Sequence, residues 1–185
     1  MTSSPPRAAD ARVSTLWIML LTLASTVTTL LLACATPFTA LAALAATQMR
    51  ARDGVLLMLA AWAASQITGF CWLGYPRDAT TLAWAIALGS AALVATLAAR
   101  TAAGATIASS PIRLAIAFVA ASLAFKGVVL LWSFALGGVD IALSPAIALR
   151  QVGRNAAILA ALWCAYRLLV AAGVPAAPRR EAAIA

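Results

Sequence analysis

Six apolar runs follow one another along the 185-residue chain, separated by short polar breaks. A transmembrane helix needs about 20 apolar residues in succession. Five of the runs reach that length, and the second, with about a dozen residues, does not. We therefore predict an all-α integral membrane protein, a bundle of about six transmembrane helices of which the second is short. The predicted segments are Val13–Ala35, Pro37–Thr47, Gly54–Tyr75, Thr80–Ala99, Leu114–Leu136 and Ser144–Ala172.

Polar residues at the two ends mark the limits of this bundle. Residues 1–12 are predicted to be a disordered cytoplasmic tail, residues 13–173 a single transmembrane helical domain, and residues 174–185 a second cytoplasmic tail. The first run ends near Cys34, as a lipoprotein signal would, but it is longer than the roughly 7–15 apolar residues of a signal peptide. We therefore expect it to be a retained helix.

Composition supports a membrane protein, and the positions of the charges predict its orientation in the membrane. The chain is 64% hydrophobic and only 10% charged, whereas a soluble domain is about half apolar and about a quarter charged. The net charge of +8 comes from 12 arginines and one lysine against five acids, and the arginines lie mostly in the breaks between runs. The positive-inside rule then predicts that both termini are cytoplasmic. The arginines on that side would be Arg7, Arg12, Arg50, Arg52, Arg100, Arg113, Arg167, Arg179 and Arg180.

Several functional classes are excluded by what the chain lacks. It has no histidine, five acids and three widely spaced cysteines, Cys34, Cys71 and Cys164. Catalytic triads and paired-carboxylate chemistry therefore cannot be assembled, and we predict that the protein is not an enzyme and has no intrinsic cofactor. The chain has no basic stripe with interleaved aromatic residues, so nucleic acid is not an expected partner; the lipid bilayer is.

Alanines recur at helical spacing in the fourth run. Ala87, Ala91, Ala95 and Ala99 stand four residues apart, which lets helix backbones approach closely in lipid. The same pattern would also suit docking of a partner helix, so a structural or assembly subunit of a larger membrane complex is one functional alternative.

Two polar features stand inside apolar runs. Lys126 lies in the middle of Leu114–Leu136, where a charge is costly unless it faces protein or water. It is either a ligand-binding residue or a lysine that extends to the interface or pairs with Asp140. Arg150 and Arg154, with Gln151 and Asn155, form a polar face near the outer start of the last helix. An anionic ligand between the two arginines, or Asp140 as counter-ion, would reduce their repulsion.

Cys71 and several aromatic side chains form the third feature. Cys71 lies at the predicted outer end of the third run, where a cysteine is ordinarily a small buried apolar residue. Polar and aromatic residues gather on this outer half of the bundle, which suits the capture of a solute from outside. The predicted ligand-binding residues are Phe70, Cys71, Trp72, Tyr75, Trp84, Lys126, Trp132, Arg150 and Arg154.

The segment from Thr36 to Tyr75-Pro76, with its short second run starting near Pro37 and its Arg52-Asp53-Gly54 break, resembles substrate-binding S-components of energy-coupling-factor (ECF) vitamin transporters. The resemblance implies a six-helix bundle in a bacterial inner membrane that binds a vitamin near its outer face. It also implies a coupling subunit and two ATPases as partners, because the chain has no P-loop of its own.

Within that family, the cobalamin-specific members are a close candidate, and some of them act alone without partners. Their known cysteine ligand would correspond to Cys71, whose thiolate would bind the cobalt of cobalamin as the substrate. Phe70, Trp72, Tyr75, Trp84 and Trp132 would line the corrin ring. The alternative is an S-component for another anionic vitamin or precursor, bound by Lys126, Arg150 and Arg154.

Overall fold

A computed structural model of the protein describes residues 8–31, 37–107 and 109–178. The described residues are helical wherever they are regular, and five helices are long and apolar enough to cross a membrane. The chain is therefore a multi-pass helical membrane protein. The elements are α1 (Ala8–Leu31), α2 (Phe38–Gln48), α3 (Ala51–Ile67) with a π-helical extension (Thr68–Trp72), α4 (Ala79–Gly104), α5 (Ser110–Leu136), α6 (Val139–Leu143) and α7 (Pro145–Ala171).

The predicted class is confirmed: an all-α membrane bundle with a short second segment. The start of the first helix and the segment after α5 differ from the prediction. Helix α1 begins at Ala8, so residues 8–12 are helical rather than part of a disordered tail. Asp10 explains the earlier start, because a carboxylate is favourable in the first turn of a helix and this one binds Arg50. The short helix α6 was not predicted; it follows Gly137 and Gly138, which have positive φ angles of 89° and 87°.

Helix α2 is the centre of the bundle rather than a peripheral segment. It packs against α3, α4, α5 and α7, and ten of its 11 residues are buried. A helix that is apolar on every side is stable only when it is surrounded. At 1.5 Å per residue α2 is about 16 Å long, roughly half of a 30 Å hydrocarbon core. One end of α2 therefore lies well inside the bundle.

The close packing of α4 explains its alanines. Ala87, Ala91, Ala95 and Ala99 are all fully buried, and α4 contacts α2, α3 and α5. Their methyl groups leave room for neighbouring backbones, as small residues do at helix contacts in lipid.

Basic residues gather at one end of the bundle. Arg50, just before α3, binds Asp10 of α1 at 2.7 Å, and Arg100 of α4 donates a hydrogen bond to the backbone oxygen of Met49 at 3.1 Å. These contacts bring the start of α1, the end of α2 and the end of α4 together. We call this the basic end; the opposite end carries the π-helical extension, the turn at residues 73–78 and α6. Cys34, Arg7, Arg179 and Arg180 lie outside the described residues.

Candidate functional site

Lys126 lies well inside the bundle on α5. It is about 24 Å along the helix from Ser110 and about 15 Å from Leu136. The side chain is partly buried, and within the described residues no ion pair or hydrogen bond involves it. Asp140, a suggested counter-ion, is exposed on α6 and makes no ion pair with Lys126, Arg150 or Arg154. Among the described residues, no carboxylate pairs with the amino group of Lys126 inside the bundle.

A cavity of about 190 Å³ lies beside Lys126, between α2, α5 and α7. Most of its wall is apolar, with polar groups contributed by each of the three helices. We call it the inner cavity. Its lining residues are Phe38, Thr39, Ser122, Leu123, Phe125, Lys126, Ala148, Gln151, Val152 and Asn155.

Two side chains of the inner cavity have polar atoms that find no partner within the described ranges. Asn155 is 4% exposed, and its Nδ2 donates to the backbone oxygen of Gln151 at 2.9 Å. Its Oδ1 is buried and accepts no hydrogen bond, and the Oγ of Ser122 is buried without a partner as well. Buried polar groups are nearly always hydrogen-bonded, and leaving one unpaired costs about 1–3 kcal/mol. Both atoms are therefore suited to a polar ligand.

The start of α2 also faces the inner cavity. Phe38 and Thr39 line it, and the first bond within the helix runs from the backbone nitrogen of Leu41 to the oxygen of Pro37. Pro37 provides no side-chain cap, so the backbone N–H groups of residues 38–40 lack an acceptor within the helix. A helix N-terminus carries about half a positive charge and attracts anions. The inner cavity thus combines Lys126 with a second positive group.

A second cleft of about 510 Å³ shares Lys126 and Gln151 with the inner cavity. It lies toward the end opposite the basic end, and the Gly137-Gly138 turn and α6 form one wall. We call it the outer cleft. Because both spaces include Lys126 and Gln151, these two side chains stand where the outer cleft meets the inner cavity. The other lining residues of the outer cleft are Trp84, Val129, Leu136, Gly137, Gly138, Ile141, Ala142 and Ile147.

The predicted residues around Cys71 lie apart from both spaces. Cys71 is exposed on the π-helical extension, and its neighbour Trp72 is 74% exposed. Phe70 and Tyr75 make an edge-to-face ring contact with centroids 6.2 Å apart. None of these four residues lines the inner cavity or the outer cleft. They form a separate aromatic surface around the thiol.

The other predicted site residues lie in different places: one lines the outer cleft, one joins two helices, and two line neither space. Trp84 lines the outer cleft. Trp132 donates from Nε1 to Ser90 Oγ at 3.0 Å and so joins α5 to α4. Arg150 is exposed and Arg154 is partly buried, and neither lines the inner cavity or the outer cleft.

The polar face of α7 is split by the rotation of the helix. Gln151 and Asn155 point into the inner cavity, whereas Arg150 and Arg154, about 100° away around the axis, do not. Both amides belong to the polar face that the four-residue spacing predicted on this helix, but only the two arginines were among the predicted ligand-binding residues. Ser122 and Thr39 were not predicted.

Metal binding has limited support in the described residues. They contain no group of three histidine, cysteine or acidic side chains that could hold an ion. A cobalt contact would therefore depend on Cys71 alone, as one axial ligand of a corrinoid whose ring supplies the rest.

Comparisons of the chain with protein-family models, curated proteins and solved structures find no match. Membership of the ECF S-component family therefore stays a prediction.

Proposed function

We propose that the protein captures a small anionic solute in the inner cavity and serves its uptake across the membrane. The observation that carries this proposal is the position of Lys126, which has no carboxylate partner within the described part of the chain, in a cavity that the start of α2 also faces. Placing a lysine inside a membrane bundle costs free energy, and ionisable residues at such positions commonly mark a substrate or ion pathway. A carboxylate or similar anion would pair with the ammonium group and accept hydrogen bonds from the N–H groups of α2.

The remaining groups of the inner cavity narrow the class of solute. The unpaired Oδ1 of Asn155 requires a donor, so the solute should carry an N–H or O–H group near its anionic group. Phe38, Leu123 and Phe125 offer an apolar surface to the rest of the molecule. A volume of about 190 Å³ indicates a small solute. A small amino acid or hydroxy acid fits these requirements.

The direction of capture follows from charge. Arg50, Arg100 and Arg113 lie at the basic end, which the positive-inside rule assigns to the cytoplasm. The outer cleft lies toward the opposite end and meets the inner cavity at Lys126. A solute would then enter from outside through the outer cleft. In this proposal both termini are cytoplasmic and the membrane is the inner membrane of a bacterium.

The mode of transport follows the resemblance to S-components. Because the chain has no P-loop, energy from ATP would come from a separate coupling subunit with its ATPases. A solitary protein would instead move the solute down its gradient. The proposal concerns capture, which both modes share.

Analysis of co-purified solutes tests the proposal. Wild type, Lys126→Met and Asn155→Leu are purified in mild detergent, and the small molecules released by denaturation are compared by mass spectrometry. We expect an anionic metabolite in the wild type and at least a tenfold loss in Lys126→Met, because a charge-assisted hydrogen bond contributes about 1.5–3 kcal/mol. Trp132→Phe, which lies outside the inner cavity, is the matched control. Equal amounts in wild type and Lys126→Met, or none in any sample, would refute the proposal.

Cobalamin remains a second candidate, favoured by the exposure of Cys71 beside the exposed ring of Trp72. A corrinoid is far larger than the inner cavity, so it would bind over the outer end, where the thiolate could ligate cobalt. Protein purified from cells supplied with cobalamin would then be coloured, and its visible spectrum would change in Cys71→Ser. Colourless wild-type protein that also fails to bind labelled cobalamin would eliminate this candidate.

A further inference from the structure

A cleft of about 270 Å³ at the basic end contains two arginines and no acid among its lining residues. It lies where the end of α2, the last turns of α4 and the first turn of α5 meet. Its walls are formed largely by small side chains, which leave the space open. The lining residues are Ala46, Thr47, Met49, Arg100, Ala103, Gly104 and Arg113. We call it the arginine cleft.

The two guanidinium groups are held by different means. Arg100 donates to the backbone oxygen of Met49 at 3.1 Å, so a carbonyl at the end of α2 positions it. Arg113 is partly buried, and its Nε is a buried donor that has no hydrogen-bond partner among the residues that the structure describes. A buried donor of this kind is rarely left unpaired. The arginine cleft therefore has a fixed cation on one side and an unused donor on the other.

The start of α5 adds to the positive potential. Arg113 lies in the first turn of α5, and Ser109 before that turn makes no side-chain cap. The first N–H groups of the helix therefore keep their partial positive charge near the cleft. Guanidinium groups match the oxygens of phosphate in pairs, and helix starts bind phosphate as well.

We propose that the arginine cleft binds the phosphate of an anionic headgroup, with Arg113 as the principal contact and Arg100 as the second cation. Basic pockets between transmembrane helices on the cytoplasmic side are suited to anionic lipid headgroups. The lining has no carboxylate to bind the cation of a choline headgroup, so an anionic phospholipid is preferred to a zwitterionic one. A soluble phosphate ester offers the same chemistry. This site is independent of the inner cavity.

Native mass spectrometry of the detergent-solubilised protein tests this site with three probes: phosphatidylglycerol, phosphatidylcholine and glycerol 3-phosphate. We expect phosphatidylglycerol to be retained over phosphatidylcholine, and Arg113→Gln to lose about tenfold or more of that retention. Arg113→Lys keeps the charge without the paired geometry, so it should fall between the two. Binding or competition by glycerol 3-phosphate would identify a soluble phosphate ester as the source; its failure to bind would identify the lipid.

Arg12→Gln is the matched control, because Arg12 is an exposed arginine near the basic end that does not line the arginine cleft. Melting temperatures of both glutamine variants confirm that each is folded. Equal losses in Arg12→Gln and Arg113→Gln would show diffuse attraction by the basic end and overturn the site. So would equal retention of both phospholipids by the wild type without binding of glycerol 3-phosphate.

Discussion

The indole of Trp62 on α3 lies directly against Gly89 on α4. Its Nε1 donates to the backbone oxygen of Ala85 at 2.9 Å. A Cβ atom at Gly89 would stand only 2.9 Å from that same Nε1. The glycine therefore lets a large aromatic ring approach the backbone of α4 closely enough to form a hydrogen bond with it.

Replacing Gly89 by alanine should destabilise this contact. The added methyl group displaces the indole and weakens its bond to Ala85, at a cost of about 1–3 kcal/mol. The midpoint of thermal unfolding in detergent should fall. Gly127→Ala is the control, because nothing lies within 4 Å of a Cβ there and alanine is the better helix former.

A double substitution measures how much the contact between Trp62 and Gly89 contributes to stability. In a Trp62→Phe background the smaller ring leaves space, so Gly89→Ala should cost less than it does in the wild type. The close approach does not matter for stability if Gly89→Ala unfolds at the same temperature as Gly127→Ala. The same holds if Gly89→Ala lowers the stability equally in the wild type and in the Trp62→Phe background.

Labelling of Cys71 should establish the orientation of the bundle. Cys71 is exposed on the π-helical extension at the end opposite the basic end, whereas Cys164 is exposed within the long apolar helix α7. In a Cys34→Ser background, a membrane-impermeant maleimide applied to intact spheroplasts should modify Cys71 and leave Cys164 unmodified, because the polar reagent does not enter the lipid that surrounds α7. Modification of Cys71 only after lysis would place the basic end outside and reverse the proposed direction of capture.

The ion pair between Asp10 and Arg50 should contribute little to stability although its geometry is good. The two side chains are 41% and 34% exposed and lie 2.7 Å apart. Exposed pairs typically contribute about 0.2–1 kcal/mol, and salt weakens them. A double-mutant cycle with Asp10→Asn and Arg50→Gln, in low and high salt, measures the coupling energy. A coupling well above this range that does not respond to salt would show that the pair is shielded from water.

Acid should weaken the start of α4. The Asp78 carboxylate accepts a hydrogen bond from the backbone nitrogen of Thr81 at 2.7 Å, and this bond lowers the pKa of Asp78 below its ordinary value of 3.8. Because the folded pKa is the lower one, the stabilisation is complete above pH 3.8 and is lost as the pH falls through the folded value.

The variant Asp78→Asn keeps a capping side chain but does not titrate at this position. Between about pH 6 and about pH 3, the wild type should therefore lose more of its thermal stability than Asp78→Asn. Parallel losses in the two proteins would mean that Asp78 does not contribute to the acid response.

The spanning helices could be predicted from local sequence because the requirements of a bilayer apply to each segment separately. Each spanning helix must satisfy its own backbone and provide about 20 apolar residues, so run lengths alone predicted five long segments and one short one. The arginines likewise predicted a basic end, since Arg50, Arg100 and Arg113 follow or precede apolar runs. Lys126 could be selected as a candidate site residue for the same reason, as a charge far from either end of its run.

Only the tertiary structure decided what surrounds these residues. The short α2 could have lain at the membrane surface, and its burial among four helices places its N-terminus at Lys126. The rotation of α7 turns Gln151 and Asn155, rather than Arg150 and Arg154, toward the inner cavity. Depth in the membrane depends on run length, which is local, whereas the direction of a side chain depends on how each helix packs against its neighbours. For that reason the sequence determined the number of long helices and the position of the lysine, and packing determined which side chains share a cavity with it.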